Sequence, residues 1–377
     1  MDFKPRKKQA EVLKYKKGMM GVSAVPGSGK TRTLSALAAQ LVADGGLSDD
    51  QEVLIVTLVN SAANHFANQV GDFVEGRGLL RGFGYRVRTL HGLANDIVRE
   101  RPGLVGLDKD FKIIDERESN DILLDAVTAV VRASPFAADE YLDPDMDDNK
   151  ATHIRANQWS TEMMKVASAF IKQAKDMRLE PEDVRHGLER FGQPLPLAEL
   201  CVRVYVNYQR ALGYRGGVDF QDLIRLALKA LEADEAYLKR LQKRWPYILE
   251  DEAQDSSKLQ EDILRTLAGP NGNWVRVGDP NQAIYETFTT ARPEYLRDFL
   301  QEKAVKAKEL PNSGRSTKSI ISLANHLIEW STKSHPVKGV RERVPLAAPY
   351  IEPTPRGDPQ PNPKDDPSQV HLFPEPM

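Results

Sequence analysis

A single cysteine, Cys201, stands in a chain of 377 residues. One thiol allows no intramolecular disulfide and no cysteine-based zinc cluster. Apolar runs are short as well. None approaches the roughly 18 residues a membrane-crossing helix needs, and the N-terminus lacks the apolar core of a secretory leader. These absences predict a soluble protein of the cytoplasm. Charge of one sign is also missing: 52 Lys and Arg against 54 Asp and Glu give a formal net charge of −2. A grossly basic nucleic-acid binder is excluded, while local basic faces remain open. Lys4, Arg6, Lys7, Lys8, Lys14, Lys16 and Lys17 crowd the N-terminus, a run whose default reading is a solvated face. No repeat with a period of roughly 20–50 residues is evident, and the length suits roughly two or three domains.

Against these absences stands one dense motif, Ala24-Val25-Pro26-Gly27-Ser28-Gly29-Lys30-Thr31-Arg32. It follows the apolar run Met19–Val25 and precedes a helical pattern, so it reads as strand, loop and helix. This is the phosphate-cradling P-loop, with Ala24 where the general pattern has its first glycine. Gly27 and Gly29 let the backbone curl with N–H groups turned inward, and the helix N-terminus adds its own attraction for a polyphosphate. Lys30 is expected to reach the β- and γ-phosphates and Thr31 to ligate Mg²⁺. The pattern predicts binding of a nucleoside triphosphate such as ATP.

Further apolar runs at Val53–Thr57, Tyr85–Arg88, Tyr247–Leu249 and Trp274–Val277 alternate with helical periodicity. This predicts an α/β fold, a parallel sheet covered by helices. Between about residues 100 and 215 the character changes to amphipathic helices, at Asn120–Arg132, Ser160–Met177 and Leu197–Leu212, joined by loops at Leu104–Asp115 and Pro135–Lys150. Tyr247-Ile-Leu-Glu-Asp251-Glu252-Ala-Gln-Asp255 is an apolar strand ending in carboxylates. Placed beside the P-loop strand, it would bring Asp251 to the Mg²⁺ and leave Glu252 to orient or deprotonate a water. About 220 residues separate Lys30 from Asp251, where a parallel crossover needs roughly a dozen. An inserted, mostly helical domain accounts for the excess. From Pro345 proline and polar residues dominate, and Asp358–Pro367 reads as an extended linker ahead of a strand-like Val370–Phe373.

At this point the chain resembles the UvrD/Rep family of superfamily 1 DNA helicases, from about residue 5 to the mid-330s. The resemblance implies two RecA-like motor domains. Residues 1–99 and 216–300 would form the first (1A), 100–215 a helical 1B insertion, 301–344 the start of the second (2A), and 345–377 the linker and a 2A strand. Gln9 resembles the family's adenine-reading glutamine, although Lys7 stands where a proline is usual. Val53–Ala63 resembles a segment lining the single-stranded DNA track, implicating Thr57 and Asn60, with Leu58 in place of a stacking phenylalanine. Thr89-Leu-His91 resembles a DNA-backbone contact. Gly278-Asp279-Pro-Asn-Gln282-Ala-Ile-Tyr285 resembles a motif coupling γ-phosphate sensing to DNA, so Gln282 becomes the candidate sensor and Tyr285 and Phe288 candidate DNA contacts. Asn312-Ser-Gly-Arg315 resembles the motif whose arginine touches the γ-phosphate, with Gly314 replacing a base-stacking tyrosine.

The 2B insertion and the last two family motifs, one carrying another catalytic arginine, have no counterpart before Met377. The resemblance therefore implies the N-terminal part of an ATP- and Mg²⁺-dependent, 3′→5′ DNA helicase, slow in turnover and unable to unwind alone. A separate chain supplying the missing motor half is the implied partner beside single-stranded DNA. The alternative is a nucleotide-switched module that binds DNA or a partner without productive hydrolysis.

Overall fold

The computed structural model describes residues 3–44, 46–282, 290, 292–343, 346, 349–366 and 368. They belong to two compact units, one of Met1–Leu90 with Ala236–Met377 and one of His91–Glu235. No helix among the described residues is long and apolar enough to cross a membrane.

The first unit begins with α1 (Lys7–Val12), β1 (Met19–Ala24), α2 (Lys30–Asp44), β2 (Val53–Thr57), α3 (Asn60–Glu75) and β3 (Tyr85–Thr89). The second unit runs through α4 (Leu90–Glu100), β4 (Lys112–Ile113), α5 (Glu116–Ala133), α6 (Asp148–Asn157), α7 (Trp159–Asp176), α8 (Pro181–Phe191), α9 (Pro196–Tyr214), β5 (Gly217–Val218) and α10 (Phe220–Ala233). The chain then returns through α11 (Glu235–Arg244), β6 (Tyr247–Glu250), α12 (Lys258–Ala268), β7 (Asn273–Gly278), α13 (Pro293–Gln301), β8 (Val305–Leu310) and β9 (Asn312–Ser313). It closes with α14 (Lys318–Glu329), α15 (Lys338–Arg343) and β10 (Glu352–Pro353).

Six strands form one sheet in the order β3-β2-β6-β7-β1-β8, and every neighbouring pair is parallel. Each residue of β1 and β2 is buried, as strands covered on both faces must be. Val22, Leu34, Leu37, Ile55, Phe66, Val70, Leu249 and Val275 form the core between strands and helices. Two expectations change here. The carboxylate strand β6 is not beside the P-loop strand, because β7 pairs with both and lies between them. The sheet also extends past residue 300: β8, whose Lys306 is exposed and Lys308 half-buried, pairs with β1 along its full length. Alternating lysines suit an edge strand, where they discourage pairing with another chain.

The second unit is helical, with only the two-residue strands β4 and β5 paired. Its core joins Ile122, Val127 and Val130 of α5, Ala167 and Ile171 of α7, and Val204 and Tyr205 of α9. Asp115 and Asp219 cap the N-termini of α5 and α10, satisfying amides that no helical carbonyl can reach. Beneath α10, the Lys175 ammonium is fully buried and meets Asp219 at 2.5 Å and Asp222 at 2.8 Å. Tyr208 adds a hydroxyl to Asp219 at 2.8 Å. The stretch 135–150 is not all loop: it holds a turn at Asp139–Tyr141 and runs into α6, capped by Asp147. The unit also keeps α10, beyond the expected edge at 215.

Candidate active site

The C-terminal ends of β1, β6 and β7 define one edge of the sheet, the edge at which open α/β sheets build their sites. After β1 the backbone turns through Gly27 and Gly29 at φ +73° and +79°, a left-handed region that side chains resist. A Cβ at Gly29 would come within 2.9 Å of the Gln9 amide nitrogen, and one at Gly27 within 2.4 Å of Arg315 Cβ. Glycine is therefore required at both positions by closeness as well as by φ. Gln9 is buried. Its Nε2 donates to the Ser28 carbonyl at 2.9 Å, and its Oε1 accepts from the Arg6 N–H at 2.8 Å. Ala24 ends β1, the Val25 N–H donates to the Leu310 carbonyl, and Pro26 leads into the turn.

Lys30 and Thr31 open α2, and both meet the carboxylates that follow β6. The Lys30 ammonium lies 2.7 Å from Glu252 Oε2. The Thr31 hydroxyl donates to Asp251 Oδ2 at 3.0 Å. The P-loop thus bridges the width of β7 with side chains. Burial, with the adjacent Glu252 charge, pushes the Asp251 carboxyl up to about 6. Burial acts on Glu252 in the same direction, but the charge and hydrogen bond of Lys30 outweigh it and hold that carboxyl below its usual range. Glu252 is therefore ionised at neutral pH. Its backbone sits at φ 57°, ψ 42°, a conformation costing a non-glycine residue about 1–3 kcal/mol. Among the described non-glycine residues only Arg178, in the helical unit, shares this left-handed backbone.

Gln254 was not singled out from the sequence, yet it links the pieces. Its Nε2 donates to Glu252 at 2.9 Å and to Asp255 at 3.1 Å, while its Oε1 accepts from the Asp279 N–H at 3.0 Å. The end of β6 is thereby tied to the end of β7. Gly278 has to be glycine there, since a Cβ would meet Gln254 Oε1 at 2.6 Å. The only sequence signal for this role is an amide inside an acidic run, a residue able to donate and accept at once.

Gln282 is reached from the same turn: its N–H donates to the Asp279 carbonyl at 3.0 Å. Arg315 packs its stem against Gly27, and its positive charge helps keep Glu252 ionised. Arg32 sits one residue past Thr31, with its guanidinium 5.2 Å from the Phe3 ring centre. Thr57 is buried at the end of β2, Asn60 starts α3, and Thr89 is buried at the end of β3. Among the described residues, no hydrogen bond joins Thr57 or Asn60 to the cluster of Lys30 and the carboxylates. In the second unit, burial lowers the pKa of His91, whose ring packs edge-on against Phe220 at 5.5 Å. Tyr285 and Phe288 lie outside the described residues, as does the strand-like Val370–Phe373.

The donor set fits a divalent cation with a polyphosphate. Thr31 and Asp251 present hard oxygens side by side, the ligand type Mg²⁺ takes, and Lys30 supplies the compact charge a phosphate chain needs. Ser28 Oγ and Asp279 Oδ2 are buried without a hydrogen-bond partner among the described residues, so polar capacity at this edge is left over.

Residues 6–304 match the family model of the UvrD/REP helicase N-terminal domain. The chain belongs to the UvrD/REP helicase family. Its relatives include DNA helicase II of Escherichia coli, 30% identical over 323 residues, and DNA helicase II of Haemophilus influenzae, 29% identical over 321 residues. Each comparison covers 85% of this chain and 40% of the relative. The ATP-dependent DNA helicase PcrA of Staphylococcus epidermidis is 26% identical over 330 residues, covering 87% of this chain and again 40% of the relative. The chain thus spans about two-fifths of the length of these UvrD/REP relatives. The six-stranded parallel sheet with flanking helices is the architecture a RecA-like helicase N-terminal domain requires.

Proposed function

We propose that this chain is the N-terminal motor part of an ATP-driven DNA helicase that moves 3′→5′ on single-stranded DNA. The observation that carries the reading is the meeting of Lys30 with Glu252 and of Thr31 with Asp251 at the end of the sheet. Residues 24–32 hold the triphosphate, with Gln9 on the base. Thr31 and Asp251 hold Mg²⁺, which when bound neutralises charge on the β- and γ-phosphates. Lys30 exchanges its Glu252 partner for phosphate oxygens. Glu252, ionised and freed, accepts a proton from the attacking water. Gln282 senses the γ-phosphate, and Arg315 stabilises the charge developing on it.

DNA contacts are assigned to Thr57, Asn60, Thr89, His91, Tyr285 and Phe288. They would go mainly to phosphates and base faces, and so be weakened by salt and nearly blind to sequence. The first unit would correspond to domain 1A followed by the start of 2A, and the second to 1B. An apolar stripe of α14 and the turn after it, Ile320, Leu323, Leu327 and Trp330, is left exposed. It supports a further motor segment, in this or another chain, as partner.

The reading is tested by ATP hydrolysis with and without single-stranded DNA at low salt. DNA is expected to stimulate turnover, and Lys30→Ala to abolish nucleotide binding. Equal nucleotide binding by parent and Lys30→Ala would reject the proposal.

A further inference from the structure

The proline-rich segment after Tyr350 is not loose. Ile351 exchanges two hydrogen bonds with the Asn325 amide of α14 at 2.8 and 2.9 Å. β10 then pairs with β9. Asn362 donates to the carbonyls of Ser313 and Ser316 at 2.7 and 2.8 Å, and its Oδ1 accepts from Thr354. Asp365 accepts from the N–H and hydroxyl of Ser319, at the start of α14. Apart from the Asn362–Thr354 bonds within the segment, these anchors fall on the stretch 311–325, which carries Arg315.

Between those anchors the segment reaches the P-loop. Asp358 accepts a two-pronged bond from the Arg6 guanidinium, at 2.7 and 3.1 Å, and both side chains are largely buried. The third nitrogen of the same guanidinium donates to the carbonyls of Ser28 and Asn312 at 3.4 and 3.1 Å. The Ser28 carbonyl is also the acceptor for Gln9. Asp358, Arg6 and Gln9 therefore converge on one P-loop carbonyl. Beside them Gly314 has no side chain, and the Gln360 carbonyl lies 2.7 Å from where its Cβ would be. The segment fills the place a residue-314 side chain would take.

We propose that residues 354–366 form a strap completing the base side of the nucleotide site, with Asp358, acting through Arg6, as the positioning residue that sets selection among nucleobases. This rests on the nucleotide-site reading above. The strap holds Arg6 on Ser28 so that Gln9 keeps one orientation, and it brings the polar backbone at Gln360 to the rim where a base lies. The strap meets the phosphate cradle, residues 27–31, through Arg6 at the Ser28 carbonyl and does not touch Lys30 or Thr31 by any hydrogen bond among the described residues.

Calorimetric binding of Mg²⁺ with ATP, GTP or inorganic tripolyphosphate to the full chain tests this. Asp358→Ala removes the fork. Gly314→Ala pushes against the Gln360 carbonyl and crowds the Arg6 nitrogen of the fork, and thermal unfolding checks that both variants fold. Both are expected to weaken ATP about tenfold, the scale of one charge-assisted pair. They should narrow the preference for ATP over GTP and leave tripolyphosphate unaffected; Asp358→Glu should restore part of the preference. Equal losses for ATP and tripolyphosphate, or no change in either, would overturn the strap's role. Tripolyphosphate bound no better by the parent than by Lys30→Ala would bring down the underlying nucleotide site instead.

Discussion

Each unit sets a lysine among carboxylates, fully buried at Lys175 and half-buried at Lys30, and the two clusters are built to opposite ends. In the helical unit Lys175 faces Asp219 and Asp222, and Arg225 adds a second cation 3.0 Å from Asp222. Tyr208 and the Asp222 N–H fill further acceptor positions on Asp219. Burial alone would raise the Asp219 carboxyl, but these partners hold it below its usual range. At the sheet edge Asp251, Glu252 and Asp255 share Lys30, with Arg315 as further positive charge, and both Asp251 and Asp255 are pushed up to about 6. The first cluster is neutralised from within. The second is short of positive charge and strained at Glu252, which suits the cation proposed for it. An ion pair is thus scaffold or site according to what it lacks.

The contrast can be broken most forcefully at Glu252. Glu252→Gln keeps the shape and the bond from Gln254, so thermal stability should hold. Steady-state ATP turnover should fall about 10²–10⁴-fold, the usual worth of a general base, with bound ATP retained. Equal turnover in parent and variant would return Glu252 to the scaffold class.

Lys175→Met is the converse experiment. It strands two buried carboxylates, which costs about 3–5 kcal/mol, and hydrogen exchange should localise the loss to residues 91–235. Nucleotide binding to the first unit should survive. A variant as stable as its parent would show that the Lys175 cluster contributes nothing to holding α7, α9 and α10 together.

The smallest effect concerns acid. A carboxyl with a depressed folded-state pKa contributes stability that is complete above its unfolded value, near 3.9, and is lost as pH falls through the folded value. The Asp219 contribution is therefore present at neutral pH and disappears below about pH 4. Urea unfolding of parent and Lys175→Met, followed by pH, should show the two stabilities converging there. Parallel curves would mean that Asp219 is not what distinguishes them.

The P-loop was legible in the sequence because its chemistry is local: Gly27, Gly29, Lys30 and Thr31 sit at fixed offsets on one turn. Strands β1, β2, β6 and β7, buried over almost all their length, and the half-buried β3 were legible as short runs. β8 was not, because three of the six residues of Val305-Lys-Ala-Lys-Glu-Leu310 are charged and no two apolar residues adjoin. The position of β7 between β1 and β6 could not be read at all, since parallel order is fixed by pairings between distant segments. The strap was hidden for a related reason. Asp358, Asn362 and Asp365 act through side-chain bonds to residues up to 352 positions away, which leave no periodicity among the prolines. Arg6 passed as one of seven solvated cations for want of any local sign that Asp358 buries it.

The order of the sheet also governs when it can exist. β2 pairs with β6, about 190 residues further along the chain, and the partners of β1 are later still. At a synthesis rate of roughly 5–20 residues per second, β2 waits about 10–40 s for its neighbour. Throughout that interval the buried, largely apolar β1 and β2 have no partner on one or both edges, and the helical unit, residues 91–235, is complete only at its end. A nascent chain of this topology therefore carries its stickiest strands open longest, and it is during translation, more than in the finished molecule, that it depends on being shielded.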